Sequence, residues 1–420
     1  MNILLVNTLD RDGGAAIAAS RLKTALLNLG EKARMLVACK QGDDLSVYNA
    51  AGTLPYRSCW LRERMGVFVR QGLSKAHLWE IDPASAGVDI TSTPQFKEAD
   101  IIHLHWINQG FLSMRSLRAI LRSGKPVVWT MHDMWPFTGL CHYAQECLNF
   151  ENQCGHCRLL RRQGEHDWSH KVWQSKARLY ENASNISFVA CSKWLAELAQ
   201  RSSLLDRHIV LDIPNPIDTT LFSPTSKTHA RAQLGLPTHK KLILFSAYNV
   251  NTPIKGFRFL REACEMLIRE QPALRDRIAI VCTGRGAEQI GADMPVELCP
   301  IGYVTDPKRM AQVYNAADML CIPSLQDNLP NTIVEAKACG VPAVGFAVGG
   351  IPQMISHMHD GYLARPQDAA DLARGLRWLL TEADTDELAR LNRTAAVSQY
   401  SESRVAERYI ELYRQLIDNK

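Results

Sequence analysis

Short apolar runs bounded by turn residues recur along the first half of the chain, at residues 3–6, 33–38, 101–104, 127–131 and 186–190. Runs of this length, rich in Val, Ile and Leu, predict buried strands. Stretches of helical composition lie between several of them, as at 15–29, closed by Gly30, and at 112–121, before the breaker Gly124-Lys125-Pro126. Strands alternating with helices imply a parallel sheet with right-handed crossovers. Between residues 212 and 238 the pattern breaks, because Pro214, Pro216, Pro224 and Pro237 interrupt it and Asn215, Asp218 and Ser223 add turn chemistry. It then restarts, with strands expected at 241–247, 278–283, 319–323 and 343–346 and helices at 257–269, 307–315 and from residue 331. The final stretch, 401–417, places Val405, Tyr409, Ile410, Leu412, Tyr413 and Leu416 on one helical face. The expected fold class is therefore α/β, with two Rossmann-like, doubly wound parallel-sheet domains at 1–215 and 216–398. A terminal segment, 399–420, carries a helical face that could pack on either domain, back on the first among them.

Length agrees with two domains, since 420 residues exceed the usual size of a single hydrophobic core. The chain is 46% hydrophobic and 22% charged, far from the composition of disordered proteins. A net charge of +5 permits anionic partners without demanding them. No basic arm, helix-turn-helix or zinc-finger spacing marks a nucleic-acid binder. The start Met1-Asn2 followed by residues 3–6 lacks the charged and long apolar parts of a secretory signal, and no run reaches the roughly 18 apolar residues of a membrane span. A cytoplasmic protein is expected, and its 12 cysteines are then thiols or metal ligands rather than structural disulfides.

The richest segment for chemistry is 322–352, IPSLQDNLPNTIVEAKACGVPAVGFAVGGIP. A strand ends at Pro323, a loop carries Asp327 and Asn328, and a helix opens near Asn331 and Thr332 with Glu335 in its early turns. Ligands of open α/β sheets bind beyond the carboxyl ends of the strands, where a helix N-terminus offers amide donors to a diphosphate. Glu335 either accepts the paired hydroxyls of a ribose or merely complements the helix dipole. A GxGxxG turn and a GxxxxGK[ST] loop are both missing, which argues against a dehydrogenase or an NTPase.

These residues resemble the donor-binding motif of the retaining glycosyltransferases of GT-B fold, family 4 type: two acids separated by seven residues, then a small-residue helix and a GVPAV strand. The acids here are Asp327 and Glu335. The family pattern usually has glutamate first, so Asp327 is a departure by one methylene. The resemblance implies that Asp327 contacts donor-sugar hydroxyls, that Glu335 holds the ribose, and that Asn328 and Leu329 present loop amides. It places Lys255, beside Gly256, on the donor diphosphate, where a cation also offsets charge on the departing nucleoside diphosphate. The family's arginine five positions earlier is replaced by Val250, with Arg258 and Arg285 as candidate substitutes. Ser246, Gly284 after Thr283, and Val304 in Gly302-Tyr303-Val304 resemble the loops bordering base and phosphates. The GT-B resemblance also implies that the two domains face each other across a cleft.

In the first half, Gly13 and Gly14 resemble the family's glycine-rich acceptor turn, and VVWTMHDMWPFTG carries the His132-Asp133 pair. The resemblance puts His132 near donor sugar and acceptor; the bland alternative is a loop histidine satisfied by backbone groups. In IIHLHWIN, His103 and His105 are expected on opposite faces of a strand, with His105 and Trp106 at the cleft edge. Cys141, Cys147, Cys154 and Cys157 follow, an insertion resembling one in the exopolysaccharide, colanic-acid-type branch. Only one pair is CxxC, so a structural zinc, reversible disulfides and plain thiols all stay open. Arginines 57, 62, 64 and 70, interleaved with Trp60, Leu61, Met65, Val67 and Phe68, suit either a membrane surface or a solvated helix with one packed face.

The resemblance implies a retaining hexosyltransferase in exopolysaccharide biosynthesis. It would use a nucleotide diphosphate sugar as co-substrate, need no cofactor for catalysis, and act on a lipid-linked or oligosaccharide acceptor, at most peripherally bound to the inner membrane. Two other readings stay beside it: a non-catalytic sugar-nucleotide or polysaccharide-binding protein of the same fold, suggested by Asp327 and the absent arginine, and a sugar-nucleotide epimerase.

Overall fold

The computed structural model describes residues 1–291 and 294–418, so the last two residues of the segment 399–420 lie outside it. The chain divides into two compact units. Unit 1 comprises Met1–Pro216 and Val405–Lys420, and unit 2 comprises Ile217–Arg404.

Unit 1 is built on seven strands: β1 (Asn2–Leu9), β2 (Lys32–Cys39), β3 (Val47–Asn49), β4 (Ile101–Leu104), β5 (Val127–Met131), β6 (Ile186–Ala190) and β7 (Val210–Asp212). Their order is β3-β2-β1-β4-β5-β6-β7, and every pairing is parallel. The order reverses between β1 and β4, which makes the carboxyl ends of these two strands the topological switch point where such sheets bind ligands. One face of the sheet packs Leu4, Val6, Ile102, Leu104, Val127 and Trp129. The other packs Ile3, Leu5, Ile101 and Val128 against Val405, Tyr409 and Tyr413 of the terminal helix Glu402–Asp418.

Unit 2 repeats the plan with six strands: β8 (Lys241–Asn249), β9 (Ile278–Arg285), β10 (Glu297–Gly302), β11 (Met319–Ile322), β12 (Ala343–Phe346) and β13 (Gly361–Ala364). The order is β10-β9-β8-β11-β12-β13, again wholly parallel, with its switch point between β8 and β11. Each unit is thus a Rossmann-like doubly wound sheet, as the alternating pattern predicts.

The helix Thr53–Arg70 departs from ordinary amphipathic patterning. It buries Glu63, Arg64 and Val67 and leaves Leu54, Leu61, Met65 and Val69 exposed. Arg64 is held by Glu63 at 3.2 Å and Asp82 at 3.0 Å, and it donates to the Leu78 carbonyl at 2.7 Å. Two of its charged residues, Glu63 and Arg64, therefore face the interior, where the one guanidinium serves two buried carboxylates, Glu63 and Asp82.

Candidate functional site

In unit 2 the expected donor residues lie at the carboxyl ends of β8, β9 and β11. Ser246 and Thr283, one on each of the paired strands β8 and β9, are joined by a 2.8 Å hydroxyl hydrogen bond, and Gly284 follows on β9. Val304 lies just beyond β10. Lys255 ends a short helical turn, Pro253–Lys255, and Gly256 then adopts a φ of 73°. A Cβ on Gly256 would stand 1.9 Å from the Pro323 carbonyl oxygen, so only glycine brings the lysine this close to the end of β11.

That approach brings the Lys255 ammonium 2.6 Å from Asp327 Oδ2, with the Ser324 hydroxyl 3.4 Å from the same oxygen. Asp327 is also fixed through its backbone, because its carbonyl accepts from the Gly350 amide at 3.1 Å. Asn328 and Leu329 are buried beside it. The helix Asn331–Ala338 begins after Pro330, an N-cap residue whose side chain makes no capping hydrogen bond. Thr332 is in its first turn and Glu335 one turn later, where the Tyr314 hydroxyl donates to Glu335 Oε2 at 2.7 Å. Tyr314 is wholly buried. Lys255 thus pairs with Asp327 while Glu335 is oriented by Tyr314, a residue that no motif marks.

Val250 is a core residue whose side chain packs beside Gly284. An arginine there would have to leave the core. Arg285, at the end of β9, has its guanidinium 4.9 Å from the Tyr248 ring centre and 5.0 Å from that of Tyr303. Arg258 instead lies over its neighbour Phe259 at 4.6 Å.

In unit 1, Gly13 has a φ of 91° and caps the helix Gly14–Asn28 with open space where a Cβ would be. The two histidines of β4 and its extension share a face: the His103 and His105 rings are 4.2 Å apart. The expectation of opposite faces fails because strand side chains repeat every two residues, so neighbours alternate and residues two apart coincide. His103 is spoken for structurally, bonded to Tyr413 at 2.6 Å and Thr130 at 2.7 Å.

His105 Nδ1 lies 3.0 Å from His132 Nε2, and His132 Nδ1 is 3.4 Å from the Cys191 sulfur. Burial lowers the His132 pKa to about 4 and takes that of His105 well below its usual value, with the other histidines adding to the effect on His105, so both rings are neutral at neutral pH. Asp133 does not present its carboxylate outward. Oδ1 accepts the Trp135 amide at 2.9 Å, while Oδ2 accepts from Trp106 Nε1 at 2.9 Å and from His142 Nδ1 at 2.8 Å. Asp133 and Trp106 are therefore brought together as supports, and His142 is the functional candidate that sequence reasoning missed. Its Nε2 is buried with no hydrogen-bond partner among the described residues.

Burial opposes charge on both members of the Asp133–His142 pair, yet their mutual attraction wins, lowering the aspartate pKa and raising that of the imidazole. Asp82 adds to the rise and Arg64 opposes it. A histidine with a raised folded-state pKa stabilises fully below about 6.5 and loses that contribution as pH climbs through the folded value. We expect His142→Asn to lower the melting temperature more at pH 6 than at pH 9. An equal loss at both pH values would show that the ring carries no charge.

The structure lends no support to a metal centre in the four-cysteine loop. Cys141, Cys147, Cys154 and Cys157 are free thiols, and among the described residues no group of three or more His, Cys, Asp or Glu side chains converges as a metal site. Burial pushes the thiols of Cys141 and Cys154 up to about 12. The zinc reading of the CxxC spacing is not supported; Cys154 instead accepts the Gly139 amide within the loop.

Two family models match this chain. Residues 13–221 match Glycosyltransferase Family 4, and residues 240–382 match Glycosyl transferases group 1. The first falls almost wholly in unit 1 and the second within unit 2. With two Rossmann-like units, these matches place the chain in the group 1/family 4 type of GT-B glycosyltransferases. A D-inositol 3-phosphate glycosyltransferase from Thermobispora bispora is 29% identical over 220 residues, 49% of this chain and 50% of that protein. The chain spans about half the length of the curated relatives it matches first. In fold it is similar to a sucrose-phosphate synthase from Thermosynechococcus elongatus, with a TM-score of 0.68, 18% identity and coverage of 100% of this chain and 99% of that one. Anabaena HepE in complex with UDP-glucose superposes with a TM-score of 0.65 at 14% identity, covering 98% of this chain and 99% of that one. Among the described residues no helix is long and apolar enough to cross a membrane.

Proposed function

We propose that this chain is a retaining hexosyltransferase that takes its sugar from a nucleotide diphosphate donor held by unit 2. The observation that carries the reading is the pairing of Lys255 with Asp327 at the carboxyl end of β11, directly before the helix that bears Glu335. Asp327 holds the lysine in place until a diphosphate arrives; the phosphate then takes the ammonium, and the freed carboxylate accepts sugar hydroxyls. Glu335, oriented by Tyr314, accepts the ribose hydroxyls. Arg285 supplies the second cation that Val250 removes. The complex of HepE with UDP-glucose supports the donor class.

As the glycosidic bond breaks, negative charge grows on the leaving diphosphate. Lys255 and the amides opening the helix Asn331–Ala338 are the groups of this chain placed to stabilise it. Unit 1 supplies the acceptor side, with His105, His132 and His142 at the carboxyl ends of β4 and β5 and Gly13 and Gly14 opening the first helix. The acceptor is a lipid-linked or growing saccharide of exopolysaccharide synthesis. A second reading, favoured by the names of the curated relatives, is an inositol phosphate acceptor.

Screening UDP-, GDP- and ADP-hexoses by thermal shift tests the donor assignment, since a ligand bound only by the native state raises apparent stability by about 2.7 kcal/mol at a hundredfold excess over Kd. One nucleotide class is expected to raise the melting temperature and to release its diphosphate when acceptor is added. Donor consumption without any acceptor, giving a product of unchanged mass, would point to an epimerase. Binding without turnover under either acceptor would leave a binding module.

The exposed face of the helix Thr53–Arg70 supports a peripheral membrane site for a lipid-linked acceptor. Leu54, Leu61, Met65 and Val69 repeat at seven, four and four residues and form one stripe, flanked by the exposed Arg57 and Arg62. An apolar stripe edged with arginine suits an anionic lipid surface. The double substitution Leu61→Asp and Met65→Asp is expected to abolish co-flotation with phosphatidylglycerol vesicles while leaving donor binding unchanged. Undiminished flotation would remove the stripe from the account.

A further inference from the structure

The amino-terminal ends of β8, β9 and β11 frame a second feature of unit 2. A cavity of about 380 Å³ opens there, and Lys227, Arg231, Lys240, Lys241, Arg277 and Asp318 line it. It lies away from the donor residues, since the run of β8 from Lys241 to Ser246 alone spans roughly 17 Å at about 3.3 Å per residue. Five cationic side chains therefore share one space with a single carboxylate.

Part of this arrangement is structural. Arg231 is buried and donates to the carbonyls of Ala316 at 2.9 Å and Lys240 at 3.0 Å and to Asp318 Oδ2 at 2.6 Å. Asp318 also accepts the Leu242 amide at 2.7 Å, so the pair ties the helix Lys227–Leu234 to β8 and β11. Lys240 has its own partner in Glu297 at 2.7 Å.

The remaining cations exceed what this tie requires. Lys227 and Lys241 both turn to Asp318 Oδ1, at 2.7 Å and 3.8 Å, although the charge of Asp318 is already matched by Arg231. Both lysine side chains are about half exposed, at 47% and 52%, and Arg277 is exposed beside them. The helix Lys227–Leu234 also opens here, adding the positive end of its dipole. Like charges crowded around a shared carboxylate repel one another until an anion joins them.

We propose that this cavity binds a multiply charged phosphate group at a site separate from that of the sugar donor. Lys227, Lys241 and Arg277 form its mouth, and the Arg231–Asp318 tie forms its floor. The group is carried either by a soluble phosphorylated molecule or by a phospholipid headgroup. Pyrophosphate and dihexanoyl phosphatidic acid, whose headgroup is a phosphomonoester, the latter used below its micelle concentration, separate these two sources.

Calorimetric titration of the full chain with pyrophosphate is expected to show binding that survives Lys255→Ala and is weakened at least about tenfold by the double substitution Lys241→Gln and Arg277→Gln. That double variant should bind the sugar donor as the wild type does, which confirms its fold and keeps this test independent of the donor assignment. Preference for the lipid probe, with the same loss in the variant, assigns the site to a headgroup. Crystals grown with pyrophosphate give a second readout, in which density is expected between Lys227, Lys241 and Arg277. Binding unchanged in the double variant, binding abolished by Lys255→Ala alone, or an empty cavity in those crystals would each overturn the proposal.

Discussion

Lys255→Ala is expected to lower kcat by about a hundredfold to a thousandfold, the range found when one preorganised electrostatic donor is removed from a reacting centre, or roughly 2.7–4 kcal/mol of transition-state stabilisation. The effect on folding should be much smaller. The Lys255–Asp327 pair is partly open to solvent, with 34% of the lysine side chain exposed, and such pairs contribute about 0–1 kcal/mol. Rate and melting temperature therefore separate the two roles. A variant that loses turnover while melting within a few degrees of the wild type places the lysine in the chemistry, and Lys255→Arg should restore part of the rate. A variant with wild-type turnover would mean that Lys255 serves only to hold Asp327.

The second large effect is on stability. Arg64→Ala is expected to destabilise unit 1 by about 3–5 kcal/mol, because removing one partner of a buried ion network leaves the other charges uncompensated. Glu63 and Asp82 are fully buried, and Arg64 is the cation that both contact. Burial and the Asp82 charge already push the Glu63 carboxyl upward, and loss of the guanidinium would push it further. Arg62→Ala, two residues away on the exposed side of the same helix, should change stability by only about 0.5 kcal/mol. Urea unfolding of both variants checks this comparison. Equal midpoints would mean that the buried network contributes nothing that its neighbour does not.

That helix also shows where the sequence stops being informative. Central strands were legible because a parallel strand buried on both faces must be a short unbroken apolar run, and residues 101–104, 127–131 and 186–190 coincide with β4, β5 and β6. The edge strands β3 and β7, of three residues each, carry no comparable signal. Amphipathic logic assigns charge to solvent, so it cannot foresee a helix that turns Glu63 and Arg64 inward to meet Asp82, a residue distant in sequence and outside any motif. The patterning was visible, but its direction depended on a tertiary partner.

The candidate site divides in the same way. Asn331 and Glu335 could be named because a helix start beyond a strand end leaves a local signature, and Asp327 and Lys255 because they match the motif of the resembled family. Tyr314 and His142 could not, since each acts through one hydrogen bond to a residue from another element, Glu335 and Asp133 respectively. The paired histidines at the end of β4 follow a simpler rule, since a spacing of two puts both rings on one face. Val250 is a further case: a motif shows that the arginine is missing, but only packing shows the replacement to be a core side chain with Arg285 close by.

The claim that a nucleoside diphosphate rests at the start of the helix Asn331–Ala338 with its ribose on Glu335 is tested most directly by calorimetric titration. Whichever nucleoside diphosphate stabilises the wild type is titrated into wild type and Glu335→Gln. A hydrogen bond to a charged acceptor contributes about 1.5–3 kcal/mol, so affinity should fall by roughly tenfold or more in the variant. An unchanged Kd would contradict the account.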